Sequence, residues 1–284
     1  MADIFEVGVV GSGIMGAGLA EVAARAGHHV VVRSRTLEGA EAVRDKLVAG
    51  FDKQIAKERM TADERDEIMG RVRVTDHLGQ LADCDLVIES IVEDLETKKT
   101  LFAELEQIVK PSGILATNTS TLPVVELAMA TQRADKVCGI HFFNPAPVMS
   151  LVEIIQPVTA SDETIATATA FAAACGKDPV QVQDRAGFIV NALLFPYLNN
   201  AIRMMEFGTA TRDDIDAAMK GGCGFPMGPF ALLDLVGLDT SLAILDALYA
   251  EFRDPNYAAV PLLRRMVAAG QLGRKSGSGF YDYS

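Results

Sequence analysis

The sequence has no tryptophan and only four cysteines, and these cysteines are too far apart to form a C-x-x-C pair. No histidine stands beside them at metal-ligand spacing, so we predict neither a metal site nor a disulfide framework. We expect instead that all four are buried thiols in a reducing compartment. The four are Cys84, Cys138, Cys175 and Cys223.

Long hydrophobic runs are also missing. No apolar run reaches the roughly 18 residues that a membrane-spanning helix needs. The first residues, Met-Ala-Asp-Ile-Phe-Glu, lack the basic start that is typical of a secretory signal. We therefore expect a cytoplasmic protein with no membrane partner.

Basic residues are in the minority, since 26 Lys and Arg stand against 38 Asp and Glu, for a net charge of -12. A surface this acidic repels phosphate backbones, so we predict no nucleic-acid partner. The chain does have 49% apolar residues over 284 positions, which is enough for a large core and for two domains. A phosphate-bearing ligand would need a local site whose donors overcome the overall charge.

A glycine-rich turn near the start predicts such a site. The apolar run 7–10 is followed by Gly11-Ser-Gly13-Ile-Met-Gly16, by a helical pattern at 17–26 and by a second strand at 29–33. In a βαβ unit of this kind, Gly11 allows a tight turn, Gly13 lets a pyrophosphate approach the backbone and Gly16 lets helix and strand pack closely. The helix N-terminus adds free amides and a positive field. A tight turn with no ligand is the alternative.

Strand and helix patterns continue to alternate up to about residue 183. We predict helices at 37–69, broken near Met60 where Thr61 and Glu64 can form a capping box, and at 95–109. Further strands are predicted at 72–75, 86–89, 114–117, 137–141 and 151–155. Such alternation is typical of an α/β fold, here a Rossmann-like, doubly wound and mainly parallel sheet.

After about Asp184 only helical patterns follow, at 187–207, from the cap Thr211 onward, at 228–250 and at 262–269. We therefore predict a dinucleotide-binding domain at 1–183 and a smaller all-helical domain at 184–284. The helix at 187–207 is apolar on nearly all sides, so it must be buried. Burial against a second subunit and burial against the first domain both explain this pattern.

The end of the second strand bears on the choice of cofactor. NAD-binding domains place an acidic residue there, about 20 positions after the glycine loop, to bind the ribose 2′-hydroxyl. This chain has Arg33-Ser34-Arg35 instead. Because no carboxylate repels a 2′-phosphate, we expect Ser34 and Arg35 to accept NADP(H) at least as well as NAD(H), with Arg33 solvated.

Polar residues interrupt apolar runs at three later places. Ser120 follows the strand 114–117, His141 ends the strand 137–141, and Asn191 lies in the apolar helix. The carboxyl ends of parallel strands face the ligand crevice, so Ser120 and His141 are expected to point at one cavity. Imidazole can exchange a proton near neutral pH, and a carboxylate such as Glu153 can orient and stabilise it.

These motifs, in this order, resemble those of the 3-hydroxyacyl-CoA dehydrogenase family, in particular its short, single-function members. The resemblance covers nearly the whole chain. The matching segments are Gly-Ser-Gly-Ile-Met-Gly, Asn-Thr-Ser, His-Phe-Phe-Asn-Pro, Gly-Phe-Ile-Val-Asn, Pro-Met-Gly-Pro-Phe and Gly-Ser-Gly-Phe-Tyr. The resemblance implies reversible NAD(P)-dependent oxidation of a short (S)-3-hydroxyacyl-CoA, such as 3-hydroxybutyryl-CoA, and a homodimer joined through the helical domain.

The resemblance also implies roles for individual residues. His141 matches the catalytic histidine and Glu153 its paired carboxylate, while Ser120 and Asn191 match residues that contact the substrate oxygen. The implied cofactor contacts are Gly11, Gly13, Ile14, Met15, Gly16, Ser34, Arg35, Glu93, Lys98, Ser120, Asn144 and Lys275. The family usually has Asp where this chain has Ser34.

Simpler interpretations remain for several of these residues. His141 is also compatible with a core histidine, Ser120 with a helix cap and Asn191 with a polar helix residue. Lys98 is compatible with a solvated helix face, and Lys275 with a flexible tail. For the CoA phosphates the candidate cations are Arg44, Lys46, Lys53 and Lys57, with Asp45 where a relative would place a lysine.

Two other functions are compatible with the sequence. The first is a same-fold dehydrogenase of a free hydroxy acid, such as a gulonate-type sugar acid, which would need a compact basic clamp. The second is a dinucleotide-binding protein without catalytic activity, which the presence of Ser120, His141, Glu153 and Asn191 disfavours.

Overall fold

A computed structural model describes residues 4–283 and divides the chain into two compact units, Met1–Asp184 and Arg185–Ser284. Over the described residues the first unit has eight strands, β1 (Glu6–Val10), β2 (His29–Arg33), β3 (Val72–Thr75), β4 (Leu86–Glu89), β5 (Ile114–Thr117), β6 (Val137–Phe142), β7 (Leu151–Gln156) and β8 (Asp178–Gln183). They form one sheet in the order β3-β2-β1-β4-β5-β6-β7-β8.

All neighbouring strands in this sheet are parallel except β6 and β7, which are antiparallel. The chain starts at the centre with β1, adds β2 and β3 on one side, and then returns to add β4 on the other side of β1. This reversal of strand order creates a crevice at the carboxyl ends of the central strands, where open α/β sheets bind ligands. The predicted doubly wound, mainly parallel sheet is confirmed.

The helices of the first unit that flank this sheet are α1 (Ile14–Arg25), α2 (Leu37–Ile55), α3 (Ala62–Gly70), α4 (Leu95–Ile108), α5 (Val124–Ala128) and α6 (Asp162–Ala174). Side chains cap several of their N-termini. The Thr36 hydroxyl accepts from the Gly39 amide before α2, and Thr61 and Glu64 form the predicted capping box before α3. The predicted break in the segment 37–69 is thus confirmed.

Two elements of the first unit, α6 and β8, were not predicted, and neither was the short helix α5. The strand β8 has the sequence Asp-Pro-Val-Gln-Val-Gln and lies at the edge of the sheet, with most of its residues exposed. An edge strand tolerates proline and polar side chains, so its pattern is typical of a loop as well.

The second unit is helical, with α7 (Val190–Glu206), α8 (Arg212–Cys223), α9 (Pro229–Val236), α10 (Leu238–Phe252) and α11 (Pro261–Ala268). Its core is formed by residues such as Phe195, Leu198, Phe230 and Leu263. Within residues 4–283, no helix is both long and apolar enough to cross a membrane.

Two predictions for this part of the chain, and one for the cysteines, are wrong in detail. The helix predicted at 187–207 begins only at Val190, and the helix predicted at 228–250 is two helices that meet at Gly237, whose φ is +101°. The prediction that all cysteines are buried also fails, because Cys223 is exposed at the end of α8 and Cys175 is only partly buried.

Candidate active site

The glycine loop between β1 and α1 has the geometry of a dinucleotide cradle. Gly11 has φ +132°, and a Cβ there would lie 2.2 Å from the carbonyl oxygen of Ser90, so only glycine fits. A Cβ on Gly16 would lie 2.1 Å from the Gly11 oxygen, whereas the position beside Gly13 is open. Since α1 begins immediately after Gly13, its first amides are free to bind a pyrophosphate.

A cavity of about 670 Å³ opens at the carboxyl ends of β1, β2 and β4. The glycine loop, residues 33–35, residues 90–92 and one face of α4 form its walls. This volume falls within the usual range for cofactor clefts. The cavity and the glycine cradle together fit a dinucleotide.

At the end of β2, the residue that would distinguish NAD from NADP is Ser34. Its side chain is almost buried, and its hydroxyl donates to the hydroxyl of Ser12 in the glycine loop at 2.9 Å. Arg33 and Arg35 also line the cavity; Arg33 is half-buried and donates to the Asp76 carbonyl oxygen at 3.3 Å, so it is not a solvated side chain. Two cations therefore flank a small hydroxyl group in this wall.

A second set of polar residues is centred on His141. His141 on β6 and Glu153 on β7 are opposite partners in the antiparallel register, and their side chains are 5% and 1% exposed. His141 Nδ1 lies 2.8 Å from Glu153 Oε2, and His141 Nε2 lies 3.2 Å from Ser120 Oγ. A carboxylate only accepts hydrogen bonds, so we assign the hydrogen to Nδ1, which leaves Nε2 to exchange a proton. An ordinary core histidine does not need this arrangement.

The loop that carries Ser120 is held from two sides. Asn118 Oδ1 accepts from the Phe142 amide at 2.9 Å, next to His141 on β6. Glu93 Oε1 accepts from the Ser120 amide at 2.9 Å. The helix-cap interpretation of Ser120 is wrong, because α5 begins at Val124 after Pro123 and has no side-chain cap.

Lys98 lies beneath this loop and is 1% exposed. Its ammonium group donates to Glu89 at 2.6 Å and lies 3.1 Å from Glu93. The alternative of a solvated helix face is therefore wrong. A direct contact between Lys98 and the cofactor remains a prediction, as does the one for Glu93.

The remaining implied cofactor residues of the first unit are exposed or half-buried. Ile14 is 75% exposed at the start of α1, Met15 is half-buried beside it, and Asn144 is exposed just after β6. Their roles remain predictions.

Asn191 and Lys275 belong to the second unit. Asn191 is buried in the first turn of α7. Lys275 lies in a short helical turn and donates to Asp239 at 2.7 Å. The segment after it is held by Asp234, which accepts from the amides of Phe280 and Tyr281, so the interpretation of Lys275 as part of a flexible tail is wrong. Their roles in binding substrate and cofactor remain predictions.

Sequence reasoning assigned no role to three polar residues of the site. Ser12 in the cavity wall and Asn118 beside β6 lie inside the quoted motifs, whereas Glu89, which is fully buried, lies outside them. A carboxylate that ends the apolar strand Leu86–Glu89 is the only signal for Glu89. Burial raises the pKa of Cys138, on the same strand as His141, to about 12, so this thiol is not a nucleophile at neutral pH.

Both parts of the chain match one protein family. Residues 6–185 match the family model of the NAD binding domain of 3-hydroxyacyl-CoA dehydrogenase, and residues 187–283 match that of its C-terminal domain. The chain is 47% identical over 290 residues to 3-hydroxybutyryl-CoA dehydrogenase of Mycobacterium tuberculosis, covering 100% of both chains. It is 45% identical to 3-hydroxybutyryl-CoA dehydrogenase of Clostridioides difficile, covering 98% of this chain and 99% of the relative.

A solved structure of a similar protein has the same fold along its whole length. The crystal structure of (S)-3-hydroxybutyryl-CoA dehydrogenase from Ralstonia eutropha superposes with a TM-score of 0.97 at 40% identity, covering 99% of this chain and 100% of that one. The protein is thus an oxidoreductase with a domain for a nicotinamide dinucleotide. With both family domains matched along almost its whole length, the chain belongs to the 3-hydroxyacyl-CoA dehydrogenase family.

Proposed function

We propose that this protein transfers a hydride between NAD(P) and C3 of a short-chain (S)-3-hydroxyacyl-CoA, and so interconverts 3-hydroxybutyryl-CoA and acetoacetyl-CoA. The observation that carries this proposal is the hydrogen-bonded chain Ser120–His141–Glu153, at the same edge of the sheet as the glycine loop. In this chain Ser120 provides a donor for the reacting oxygen, His141 a proton acceptor, and Glu153 a group that orients the imidazole.

The chemistry of each residue follows from these contacts. The glycine loop would hold the dinucleotide, which would supply the hydride acceptor for the oxidation at C3. His141 Nε2 takes the proton of the C3 hydroxyl, and Glu153 stabilises the imidazolium that forms. Ser120 donates a hydrogen bond to the C3 oxygen, with Asn191 proposed as a second donor, and these bonds polarise the carbonyl group when the reaction runs in reverse. In that direction His141 returns its proton to the oxygen.

A coenzyme A ester is favoured over a free hydroxy acid for two reasons. The relatives that match the full length of the chain are named for an acyl-CoA substrate. Exposed cations on or just after α2, where the CoA phosphates could bind, are Arg44, Lys46, Lys53 and Lys57. A protein that only binds a dinucleotide would have no need of the chain of buried hydrogen bonds around His141.

We propose that NADP(H) is used at least as well as NAD(H). The support is the almost buried Ser34 in place of a carboxylate, with Arg35 exposed on the wall of the same cavity. Arginine forms strong hydrogen bonds with phosphate groups. A 2′-phosphate would therefore meet a cation where most dinucleotide sites for NAD present an anion.

We also propose a homodimer joined through the helical unit. The helix α7 buries one side, with Phe195 and Leu198, but leaves Leu193 72% exposed; Phe207, just after α7, is 79% exposed. Large apolar groups exposed in this way on one element are typical of a subunit interface. A molecular mass of a single chain in solution, measured by light scattering, would contradict it.

One assay tests the enzymatic proposal. Purified protein is given acetoacetyl-CoA or free acetoacetate, each with NADH and with NADPH, and oxidation of the reduced cofactor is followed by absorbance. We expect turnover with acetoacetyl-CoA and with both cofactors, and far weaker turnover with acetoacetate. Equal kcat/KM for the free acid and the ester would contradict the acyl-CoA proposal, and no turnover with any substrate would contradict the enzymatic one.

A further inference from the structure

A buried ion pair lies beneath the Ser120 loop, and it is outside the residues that the family resemblance identifies as catalytic. Glu89 is 0% exposed and Lys98 is 1% exposed, with 2.6 Å between the Lys98 nitrogen and Glu89 Oε1. Such a pair costs desolvation free energy, and a well-packed apolar pair of similar volume is often no less stable. Its presence therefore needs a reason other than stability.

The hydrogen bonds of Glu89 join two parts of the site. Glu89 Oε1 also accepts from the amide of Ile91 at 2.6 Å, and Ile91 forms part of the cofactor cavity wall. Glu89 Oε2 accepts from the hydroxyl of Thr117 at 2.7 Å, at the end of β5 just before the Ser120 loop. One carboxylate thus fixes the ends of β4 and β5 together.

Lys98 extends this connection to the reacting groups. Its ammonium group lies 3.1 Å from Glu93 Oε2. The other oxygen of Glu93 accepts from the Ser120 amide and from the Thr119 hydroxyl. Glu93 is itself partly exposed, and the buried cation and these two hydrogen bonds together hold its carboxylate under the loop. Ser120 Oγ then reaches His141 Nε2 at 3.2 Å.

We infer that Glu89 is a positioning residue for the proposed reaction, acting through Lys98 and Glu93 on Ser120 and through Ile91 on the cofactor cavity. The inference rests on the proposed function for its effect on turnover. Without the Glu89 charge, Lys98 keeps only Glu93 as a carboxylate partner and moves towards it, so Glu93 and the Ser120 hydroxyl lose their fixed positions. Displacements of about 1 Å in a catalytic group can lower a rate by roughly 100-fold.

The test compares Glu89→Gln with Asp85→Asn. Asp85 immediately precedes β4, whereas Glu89 is the last residue of that strand. Asp85 also pairs with a lysine, Lys110, at 2.6 Å, so it provides a matched control. Both changes remove one carboxylate charge from a lysine pair. At matched folded fractions, we expect Glu89→Gln to lower kcat about 10- to 100-fold with the acetoacetyl-CoA KM changed less than about threefold. Asp85→Asn should keep kcat within about twofold.

A double variant separates positioning from folding. Glu89→Gln with Lys98→Met removes both buried charges, so it should recover the melting temperature lost in Glu89→Gln. We expect no recovery of kcat, because Lys98→Met removes the cation that lies beside Glu93. Recovery of kcat together with the melting temperature would overturn the inference, and so would a folded Glu89→Gln variant with wild-type kcat and wild-type NADH affinity.

A binding measurement keeps this test independent of the reaction. NADH affinity is measured by fluorescence titration for the wild type, Glu89→Gln and Asp85→Asn. We expect weaker NADH binding only in Glu89→Gln, because a neutral amide oxygen accepts from the Ile91 amide in the cavity wall more weakly than the carboxylate does. If the wild type binds NADH but turns over no acyl-CoA, the proposed function fails while the NADH comparison still tests the role of Glu89.

Discussion

Replacing Glu153 by Gln removes the negative charge beside His141 while keeping the shape of the side chain. The two groups are 2.8 Å apart and almost inaccessible to water, so solvent does not screen their interaction. A buried hydrogen bond to a charged group contributes roughly 1.5–3 kcal/mol. If the missing charge destabilises only the state in which the imidazolium has formed, kcat falls roughly 10- to 150-fold.

The side-chain amide that Glu153→Gln introduces has a second effect. Unlike a carboxylate, it can donate to Nδ1 and so move the imidazole hydrogen to Nε2. Nε2 would then be unable to accept the hydroxyl proton. In serine proteases the corresponding change from Asp to Asn lowers kcat by about 10,000-fold. We therefore expect the loss in Glu153→Gln to be at or above the upper end of the range calculated from charge alone.

The assay follows acetoacetyl-CoA reduction by NADH in the wild type, in Glu153→Gln and in a control. The control is Glu126→Gln, which removes a carboxylate paired with Lys99 on the protein surface at 2.5 Å. Exposed pairs of this kind contribute about 1 kcal/mol or less to stability, so its kcat should not change. A folded Glu153→Gln variant with the kcat of the control would refute this account of the His141–Glu153 pair.

Three further predictions concern the cofactor site and the thiols. Ser34→Asp should raise the ratio of kcat/KM with NADH to kcat/KM with NADPH by about 10-fold or more, a change of about 1.4 kcal/mol. An unchanged ratio would contradict the proposal that NADP(H) is used. Gly11→Ala should abolish NADH binding in a fluorescence titration, because its Cβ would lie 2.2 Å from the Ser90 oxygen, and wild-type affinity would contradict the cradle geometry. In the native protein a thiol reagent at pH 8 should modify Cys223, which is exposed, and leave the other three cysteines unmodified. Burial raises the pKa of those three thiols to about 12, and only the thiolate reacts. Rapid modification of four thiols before unfolding would contradict this prediction.

The sheet and the position of the site could be predicted because they depend on local patterns. The β-branched strands, the glycine loop and the capping box at Thr61 are each contained in a few neighbouring residues. Parallel strands bring their carboxyl ends to one edge, which is why Ser120 and His141 meet. The register that places Glu153 opposite His141 follows from the antiparallel pairing of β6 and β7.

The elements that sequence reasoning missed depend on tertiary context. The strand β8 is stabilised by its pairing with β7, and its Val-Gln-Val-Gln alternation is only four residues long. A helix pattern does not show that Gly237 adopts a positive φ and divides α9 from α10. A charged residue in a charged helix resembles a solvated one, so the burial of Lys98 could not be predicted without its partner Glu89, which lies nine residues earlier.

The central claim is that His141 exchanges the proton of the substrate oxygen. The most direct measurement is kcat for acetoacetyl-CoA reduction by NADH in a folded His141→Ala variant whose NADH affinity has been measured by fluorescence. We predict that NADH binding persists while kcat falls by about 100-fold or more. A His141→Ala enzyme that oxidises NADH with acetoacetyl-CoA at the wild-type rate would contradict the account.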